Sequence, residues 1–389
     1  MSILLVDDNS VNLFVIEKIL KGAGYEDTVS LSSAQELFNY LQLNDPTAKK
    51  SDVDLILLDI MMPEIDGIEA CTQIQQSERL KDIPIIFITA LEDSNKLAQA
   101  LDVGGIDYIT KPINKVELLA RIRVALRLKY EKDWHMEQEK KMRDELDLAM
   151  QVQRSLLNPP LQDDYININV SHLPSFKLAG DMYYWHRFNE HRYGVILLDM
   201  MGHGLSSSLV CMYISSVMRD AIKMLEDPEL VIQELNRYMA LLHNQKNLYN
   251  YYFTCIYLVI DTNEKTIEYV NAGHPPGYVL VDDTELVMLE RSCVPVGFFD
   301  SIDVKKSQLT FTNDAQLLLF TDGVVEANRD ENKILDKLKY IASQKWNQTI
   351  TSPIHLVIPE EELQNQQDDM CILMIQATAS KKPASMTTS

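Results

Sequence analysis

The sequence predicts two domains of different fold, an α/β domain built on a doubly wound parallel five-stranded sheet and then an α+β sandwich, joined by a long helix. In residues 3–127, short apolar strands alternate with helix-length amphipathic segments, the pattern of a parallel sheet covered on both faces. After residue 161, strands are grouped around paired helices. Between the two, residues 113–158 contain neither Pro nor Gly. The predicted divisions are a first domain at 1–127, a helical linker at 128–160, a second domain at 161–377 and a disordered tail at 378–389.

Composition narrows the function classes. The 389 residues include 36 Lys and Arg against 57 Asp and Glu, a formal charge of −21. Nucleic acid is bound through clustered basic residues, so this balance argues against a nucleic-acid partner, and it suits bound divalent cations. The five cysteines are far apart without a CxxC, which indicates reduced core residues. The N-terminus lacks a basic or long apolar segment, and no run of about 20 apolar residues occurs, so we expect a cytoplasmic protein without a membrane partner.

Polar residues follow the strands of the first domain. The clearest strands are "ILLV", "LILLD", "PIIFIT" and "DYIT", and the carboxyl ends of parallel strands open onto one crevice. The residues collected there are Asp7, Asp8, Asp59, Thr89 and Lys111. Three carboxylates so placed repel one another unless a cation lies between them, and oxygen ligands suit Mg²⁺. One of them can then act as a nucleophile toward phosphorus. The alternative is that strand-terminal Asp residues only cap helices.

Five matching positions in order favour the first interpretation, and the motifs "DIMMPEIDG" and "YITKP" strengthen it. Residues 1–127 resemble the receiver domain of two-component response regulators, which has a flavodoxin-like fold. The resemblance implies that Asp59 accepts a phosphoryl group and that Asp7, Asp8, Asp59 and the backbone carbonyl of Met61 hold one Mg²⁺. It further implies that Thr89 and Lys111 contact the phosphoryl group, that Tyr108 is the switch aromatic, and that a histidine kinase is the partner.

The linker is rich in strong helix formers, which predicts one long helix or two nearly continuous ones. Apolar residues recur at helical spacing at each end of the linker, but "EKDWHMEQEKK" between them is mostly charged. This run is either a solvated helix face or the middle of a coiled-coil homodimer. "NPPL" ends the helix, because proline cannot continue it.

Acidic residues also stand at the strand ends of the second domain, whose helices we expect at about 204–224, 228–245 and 332–346. They are Asp181 in "LAGDMYY", Asp199 in "LLDMMGHG", Asp322 in "LFTDGVVEA", and Asp368 and Asp369 in "QDDMCILMI". Neither GxSxG nor a P-loop is present. Scattered aspartates on strand ends indicate hard metal ions, and two such ions can activate one water toward phosphorus without a covalent enzyme intermediate.

Each motif alone has a simpler explanation. "TDG" is a common turn, and "GHGLSSSL" with His203 can be a loop that leads into a helix. His274 in "NAGHPP" is better explained as a turn residue that supports the site than as a ligand, because the other candidates are all oxygen donors. The order of the motifs is what makes them specific.

That order, over residues from about 150 to 377, resembles the metal-dependent type-2C (PPM family) protein serine/threonine phosphatases. The closer similarity is to the bacterial branch that acts in partner-switching control of sigma factors. The resemblance implies two Mn²⁺ or Mg²⁺ ions, with Asp199 bridging both and the carbonyl of Met200 ligating one. Asp322 and Asp368 would complete the first ion and Asp181 would serve the second, while Asp369 remains an alternative to its neighbour Asp368.

The sequence departs from that branch at three positions. Ala179 replaces the first of two glycines, Tyr184 stands where a second Asp is common, and Met200 stands where glycine is frequent. A carbonyl ligand tolerates a side chain, so Met200 need not be damaging. We expect Tyr184 to remove an auxiliary carboxylate and to weaken metal affinity.

Together the two resemblances predict a phosphatase controlled by a receiver. Its substrate would be a phosphorylated anti-sigma-factor antagonist, whose dephosphorylation frees a sigma factor. The main alternative is a degenerate phosphatase fold that acts as a binding adaptor without catalysis. A transcription-factor output is disfavoured by the acidic charge and the lack of a basic recognition helix.

Overall fold

The computed structural model describes residues 1–45, 47–49, 51–90, 94–202, 204–243, 251–328, 330–346, 352–363 and 366–381. Contacts divide the chain into two units, Met1–Met142 and Arg143–Ser389. Most of the predicted tail, residues 382–389, lies outside the described residues. Its first residue, Thr378, ends a strand, and the N–H of Ala379 donates to the carbonyl of Asn313 at 2.8 Å.

The first unit alternates strands and helices. Its elements are β1 Ser2–Val6, α1 Ser10–Lys21, β2 Thr28–Leu31, α2 Ala34–Leu41, β3 Val53–Asp59, α3 Gly67–Gln75, β4 Ile85–Thr89, α4 Ser94–Asp102, β5 Asp107–Thr110 and the first part of α5 Lys115–Ser155. All strand pairs are parallel and the order is β2-β1-β3-β4-β5. The predicted doubly wound five-stranded sheet is confirmed.

Both faces of this sheet are covered, which explains why its strands read as continuous apolar runs. Leu4, Ile56 and Leu58 face a core formed with α2 and α3. The alternate residues of the same strands face a second core, where α1 and the start of α5 pack; it includes Ile3, Leu55, Leu57, Ile16, Leu118 and Ile122. Strand residues alternate between the two cores because successive side chains point to opposite faces.

The long helix is confirmed as one continuous helix of 41 residues, Lys115–Ser155. It begins three residues after Pro112 and ends before Pro159, where the chain lacks the backbone donor that a helix needs. Its charged middle is exposed from residue 137 to residue 145, and Glu137 pairs with Lys141 on the surface of the helix itself. The helix crosses both the predicted boundary at residue 127 and the boundary between the two units.

The second unit contains two antiparallel sheets and two layers of helices. Its strands are β6 Leu161–Gln162, β7 Ile166–Leu173, β8 Asp181–Arg187, β9 Arg192–Met200, β10 Phe253–Asp261, β11 Thr266–Ala272, β12 Gly277–Val281, β13 Glu285–Leu289, β14 Ser307–Thr310, β15 Asp314–Phe320 and β16 Met370–Thr378. Its helices are α6 Leu205–Leu225, α7 Pro228–His243, α8 Asp322–Glu326, α9 Glu331–Ser343 and α10 Ile354–Val357.

The strand orders are β14-β11-β10-β9-β8 and β13-β12-β15-β16-β7-β6. A core between the sheets holds alternate residues of both, among them Leu197, Leu258, Leu317 and Leu373. The opposite face of the first sheet packs against α6 and α7, and that of the second against α8, α9 and α10. The order helix, sheet, sheet, helix confirms the predicted α+β sandwich.

Candidate functional sites

The crevice of the first unit brings together the three carboxylates predicted there. One ligand oxygen from each of Asp7, Asp8 and Asp59 lies within 4.8 Å of the others. Asp7 and Asp59 are buried, whereas Asp8 is exposed. Oxygen ligands this close fit a small hard cation such as Mg²⁺.

Lys111 lies between two of these carboxylates. Its Nζ donates to Asp7 Oδ2 and to Asp59 Oδ1, each at 2.9 Å. Burial raises the pKa of Asp59 to about 6, opposed by the hydrogen bond from Lys111 and assisted by the charges of Asp7 and Asp8. The ammonium group balances part of the negative charge of this crevice.

The helix-capping alternative does not account for these aspartates. The cap of α1 is Asn9, whose Oδ1 accepts from the N–H of Val11 at 2.9 Å. The cap of α3 is Asp66, which accepts from the N–H of Glu69 at 2.8 Å. Since other residues perform the capping, Asp59 is buried for another reason.

Three further predicted residues surround the same crevice. Thr89 is fully buried at the end of β4, and its carbonyl accepts from the N–H of Lys111 at 2.7 Å. Tyr108 in β5 is half-buried, with the guanidinium of Arg121 at 6.0 Å from its ring centroid. Met61 follows β3 by two residues with an exposed side chain, so its backbone is what it can offer to a cation.

In the second unit, Asp181 and Asp199 lie opposite each other. They are direct partners in the antiparallel register of β8 and β9. Their side chains lie on the same face of the sheet as those of Tyr183 and Leu197, which face the core between the two sheets. Carboxylates at this end of the sandwich therefore converge from both sheets, because Asp322 follows β15 and Asp368 precedes β16.

These carboxylates perturb one another. Burial, followed by the charge of Asp199, raises the pKa of Asp181 well above its ordinary value. Burial, followed by the charge of Asp322, raises the pKa of Asp199 to about 9. Like charges held close out of water need a compensating cation, so the donor set fits divalent metal ions.

The four carboxylates do not form a single tight ligand cluster. Among the described residues, three ligand atoms within 4.8 Å of one another occur only at Asp7, Asp8 and Asp59. Ligands shared between two ions a few Å apart spread over a wider area than those of one ion.

The backbone beside Asp181 is closely packed. A Cβ on Gly180 would lie 3.3 Å from the carbonyl oxygens of both Met200 and Gly202. The N–H of Met200 donates to the carbonyl of Gly180 at 3.3 Å, and the side chain of Met200 is buried in the core under α6. The Met200 carbonyl oxygen thus lies close to the backbone next to Asp181.

The expectation that Tyr184 removes an auxiliary ligand is wrong. Along β8, position 184 lies on the opposite face of the sheet from Asp181, and Tyr184 packs into the core formed with α6 and α7. The guanidinium of Arg219 lies 4.9 Å from its ring centroid. A side chain at this position points away from the carboxylates, so the tyrosine takes no metal ligand from the site.

Asp369 makes hydrogen bonds with the protein rather than facing outward. Its Oδ1 accepts from the N–H of Ser175 at 2.7 Å and from the Ser175 hydroxyl at 2.9 Å. Its Oδ2 accepts from the N–H of Gly180 at 2.5 Å. Asp368 is less buried and its Oδ1 accepts from the N–H of Asp369. Of the two neighbours, Asp368 is the better candidate for a metal ligand.

Three residues that the sequence did not identify hold Asp181 in place. The Thr321 hydroxyl donates to Asp181 Oδ2 at 2.7 Å and accepts from the N–H of Cys371 at 2.9 Å. A ring nitrogen of His172 lies 3.1 Å from the carbonyl of Asp181. Gln153 of α5 binds the backbone of the adjacent loop at Ala179. "TD" and "QVQ" are too common as short strings to signal these roles.

His274 is buried beside the strand next to Asp199, and its role as a supporting residue stays a prediction. It is fully buried, and its Nδ1 lies 2.8 Å from the hydroxyl of Thr254, the register partner of Asp199. Its backbone N–H donates to Asn271 Oδ1 at 2.9 Å. His203 lies outside the described residues, so the prediction for it stays open.

Comparison with known families finds one match in each of the two units. Residues 3–123 match the family described as response regulator receiver domain. Residues 189–378 match the family described as Stage II sporulation protein E, SpoIIE. The chain thus joins a region similar to response regulator receiver domains to a region similar to the SpoIIE family.

Individual relatives match one part of the chain or the other. Phosphoserine phosphatase RsbP of Bacillus subtilis is 35% identical over 236 residues, which is 59% of this chain and 57% of that protein. Transcriptional regulatory protein YvrH of the same organism is 42% identical over 131 residues, 33% of this chain and 51% of that protein. This chain therefore spans only slightly more than half the length of either relative.

Among solved structures, the SiaA-PP2C domain of Pseudomonas aeruginosa superposes with a TM-score of 0.49 at 19% identity, covering 62% of this chain and 98% of that one. Within the described part of the receiver and SpoIIE-family domains, no helix has both the length and the apolar character needed to cross a bilayer.

Proposed function

We propose that the SpoIIE-family domain is a metal-dependent protein serine/threonine phosphatase. The observation that carries this proposal is the convergence of carboxylates from both sheets. Asp181 and Asp199 are directly opposed, and burial with neighbouring carboxylate charge raises the pKa of each. The relative RsbP, named a phosphoserine phosphatase, supports it. Two divalent cations held there would supply the Lewis acidity that activates water toward a phosphate ester.

The resemblance of the motifs suggests the roles of the chain's own residues. Asp199 would be shared by both ions, Asp181 would hold one, and Asp322 and Asp368 would hold the other. The carbonyl of Met200 adds a neutral ligand. Mn²⁺ and Mg²⁺ both suit this oxygen set. Thr321 and Gln153 keep Asp181 and its loop oriented, a supporting role that commonly affects metal affinity.

The test is hydrolysis of p-nitrophenyl phosphate with Mn²⁺, with Mg²⁺ and with EDTA, by the wild-type chain and by Asp199→Asn. We expect metal-dependent turnover that the substitution abolishes. Asp220→Asn is a matched control, since Asp220 is an exposed aspartate on α6 of the same domain. Absence of turnover in every condition would favour the alternative, a SpoIIE-type fold that acts as a binding adaptor.

For the receiver domain we propose phosphorylation of Asp59 by a histidine kinase. Asp7, Asp8, Asp59 and the carbonyl of Met61 would hold one Mg²⁺ there, with Lys111 and Thr89 contacting the phosphoryl group. The geometry that supports this is the cluster of three carboxylates joined by Lys111. Thr89 and Tyr108 would respond to the added charge, as switch residues do.

We further propose that α5 carries this change to the phosphatase domain. The helix begins five residues after Thr110 and reaches Gln153, which binds the loop before Asp181. Turnover would be compared with and without beryllofluoride, an acyl-phosphate mimic, on the wild-type chain and on Asp59→Asn. A change in rate seen only in the wild type is expected. Equal rates with and without the mimic would contradict receiver control.

The substrate we propose is a phosphorylated anti-sigma-factor antagonist, which would switch on an alternative sigma factor in a stress response. The similarity to RsbP supports a phosphoserine substrate, and the sigma-factor role rests on the resemblance of the motifs. The test compares the rate of dephosphorylation of a panel of phosphorylated antagonists with that of an unrelated phosphoserine protein. The cytoplasmic location stays a prediction.

We also propose a homodimer formed through α5. Val124, Leu128, Met142 and Val152 are exposed on this helix. Their spacing places all four at a and d positions of one heptad frame, the seam of a coiled coil. Sedimentation equilibrium of the wild-type chain and of Met142→Glu tests this, with a dimer expected only for the wild type.

A further inference from the structure

The segment from Val294 to Asp300 carries two adjacent phenylalanines that face solvent. Phe298 is 53% exposed and Phe299 is 55% exposed. Their rings contact edge to face with centroids 5.0 Å apart, and the ring of Phe298 makes the same kind of contact with Tyr252 at 5.2 Å. We call Tyr252, Phe298 and Phe299 the aromatic cluster.

The backbone that presents the cluster is held firmly. Asn236 of α7 is buried, and its Nδ2 donates to the carbonyls of Phe299 and Asp300, each at 3.1 Å. Its Oδ1 accepts from the N–H of Gly297 at 2.8 Å. Three hydrogen bonds from one buried amide fix the course of this segment.

Gly297 adds a second restraint. Its φ is +84°, and a Cβ there would lie 3.0 Å from two carbon atoms of Met239 on α7. On the other side, Val296 exchanges two backbone hydrogen bonds with Phe253, at 2.9 and 3.0 Å. The phenylalanines are therefore exposed by a rigid support, and a rigid apolar surface loses little entropy when it binds a partner.

The aromatic cluster adjoins the candidate metal site. The N–H of Met201 donates to the carbonyl of Tyr252 at 2.9 Å, and Met201 follows the proposed ligand Met200 directly. The next residue, Phe253, is the register partner of Met200. The aromatic cluster is thus continuous with the strand ends on which the carboxylates stand.

A negative charge beside the cluster limits how a phosphoprotein can bind there. Asp300 follows Phe299 directly and is exposed, so it disfavours an acidic partner surface. Aromatic side chains can supply binding energy without charge, and interface energy is commonly concentrated in such anchors.

We infer that the aromatic cluster is the docking surface for the protein substrate, and that it takes a bulky apolar side chain close in sequence to the phosphorylated residue. This inference rests on the proposed phosphatase function, because the occupant is the polypeptide whose phosphate enters the metal site. Phe298 and Phe299 then act as specificity determinants rather than as catalytic residues.

The test uses nonapeptides of glycine with a central phosphoserine, in which a single leucine is moved through every other position. The measured quantity is kcat/KM for each leucine peptide divided by kcat/KM for the all-glycine peptide. For the wild-type chain with Mn²⁺, we expect a ratio of about ten or more at one or two positions and close to one elsewhere.

The variants are Phe298→Ala and Phe299→Ala, separately and combined. We expect the combined variant to bring the ratio to within about two-fold of one at every position. Tyr340→Ala is the matched control, because Tyr340 is an aromatic residue on α9 that is 65% exposed. It should keep the wild-type ratios. The ratio compares two substrates on one preparation, so partial loss of folded protein does not affect it.

The outcomes separate the two proposals. Wild-type protein that hydrolyses p-nitrophenyl phosphate but shows no leucine preference would overturn the docking surface alone. The same conclusion follows if the combined variant keeps the wild-type preference. A wild-type protein without any metal-dependent turnover would overturn the phosphatase proposal, and the docking inference with it. A second copy of the chain as occupant would appear as a loss of self-association in the combined variant with its leucine preference unchanged.

Discussion

Gln153 holds the backbone of Ala179 with both ends of its side-chain amide. Its Nε2 donates to the carbonyl of Ala179 at 2.7 Å, and its Oε1 accepts from the N–H of the same residue at 2.9 Å. Gln153 is buried near the end of α5, and Ala179 lies two residues before Asp181. The last turn of the linker helix is thus bonded to the loop that carries a candidate metal ligand.

We expect Gln153→Leu to raise the Mn²⁺ concentration needed for half-maximal activity by about ten-fold or more. Both buried hydrogen bonds are lost, and unpaired backbone groups cost about 1–3 kcal/mol each. The measurement is a Mn²⁺ titration of p-nitrophenyl phosphate hydrolysis. Gln151→Leu is the matched control, since Gln151 is exposed on the same helix two residues earlier. Identical titrations for the two variants would show that the contact does not support the metal site.

Thr321→Val should weaken metal binding while leaving the fold intact. The variant removes the hydroxyl that bonds Asp181 Oδ2 but keeps nearly the same shape. Groups that orient metal ligands typically contribute about 10- to 100-fold in affinity or activity. Isothermal titration with Mn²⁺ measures the effect directly. Thr321→Ser, which retains a hydroxyl, should recover most of the affinity; if it binds Mn²⁺ no better than the valine variant, the hydrogen bond is not the cause.

Asp368→Asn and Asp369→Asn should fail in different ways. Asp369 accepts hydrogen bonds from Ser175 and Gly180 within the protein, so its amide variant should lower the thermal unfolding midpoint in EDTA. Asp368 is proposed to bind a metal, so its variant should lose Mn²⁺-dependent turnover and keep its midpoint in EDTA. Calorimetry and the phosphatase assay on both variants decide the choice that the sequence left open. The reverse pattern would assign the metal to Asp369.

The metal-free receiver domain should lose stability as the pH rises. Burial raises the pKa of Asp59 to about 6 in the folded state, whereas a free aspartate titrates near pH 3.9. Between about pH 4 and pH 6 the folded state binds more protons than the unfolded state, so the free energy of unfolding falls across this window. Asp59→Asn cannot titrate, so it should stabilise the protein relative to wild type more at about pH 7.5 than at about pH 4.5.

Urea unfolding of the full chain in EDTA at the two pH values measures this difference. Asp102→Asn serves as the control, because Asp102 is an exposed aspartate on α4 of the same domain. Its effect on the free energy of unfolding should be the same at both pH values. A stabilisation by Asp59→Asn that is equal at both would mean that Lys111 fully compensates the buried charge.

The architecture and the candidate ligands could be read from sequence because their signals are local. The change from βα alternation to grouped strands marks the two folds, and the stretch without Pro or Gly marks α5. The candidate aspartates were found in the same way. Asp59 and Asp199 each stand at the carboxyl end of an apolar run, and the run can be recognised as a strand from its own residues. Strands such as β2 and β14 have a weaker signal in sequence, because they are short and lie at sheet edges, where few residues are buried.

Other features depended on which distant segments meet. Thr321 bonds Asp181 across 140 residues, and Asp369 bonds Gly180 across 189. No spacing in the chain reports such contacts, because they arise when two sheets pack face to face. The expectation for Tyr184 was wrong for a related reason. A motif position does not tell on which face of β8 the residue lies, and in the fold the side chain of Tyr184 faces α6. The exposure of Phe298 and Phe299 was likewise not predictable from sequence, because it depends on hydrogen bonds between their backbone segment and the buried Asn236 of α7.

Sequence by itself determined the two folds and the residue types of the sites, since apolar periodicity is a property of neighbours along the chain. Only the tertiary structure decided that Asp181 lies opposite Asp199 and that Asp369 bonds the backbone of Gly180, since these contacts join segments that are adjacent only after folding.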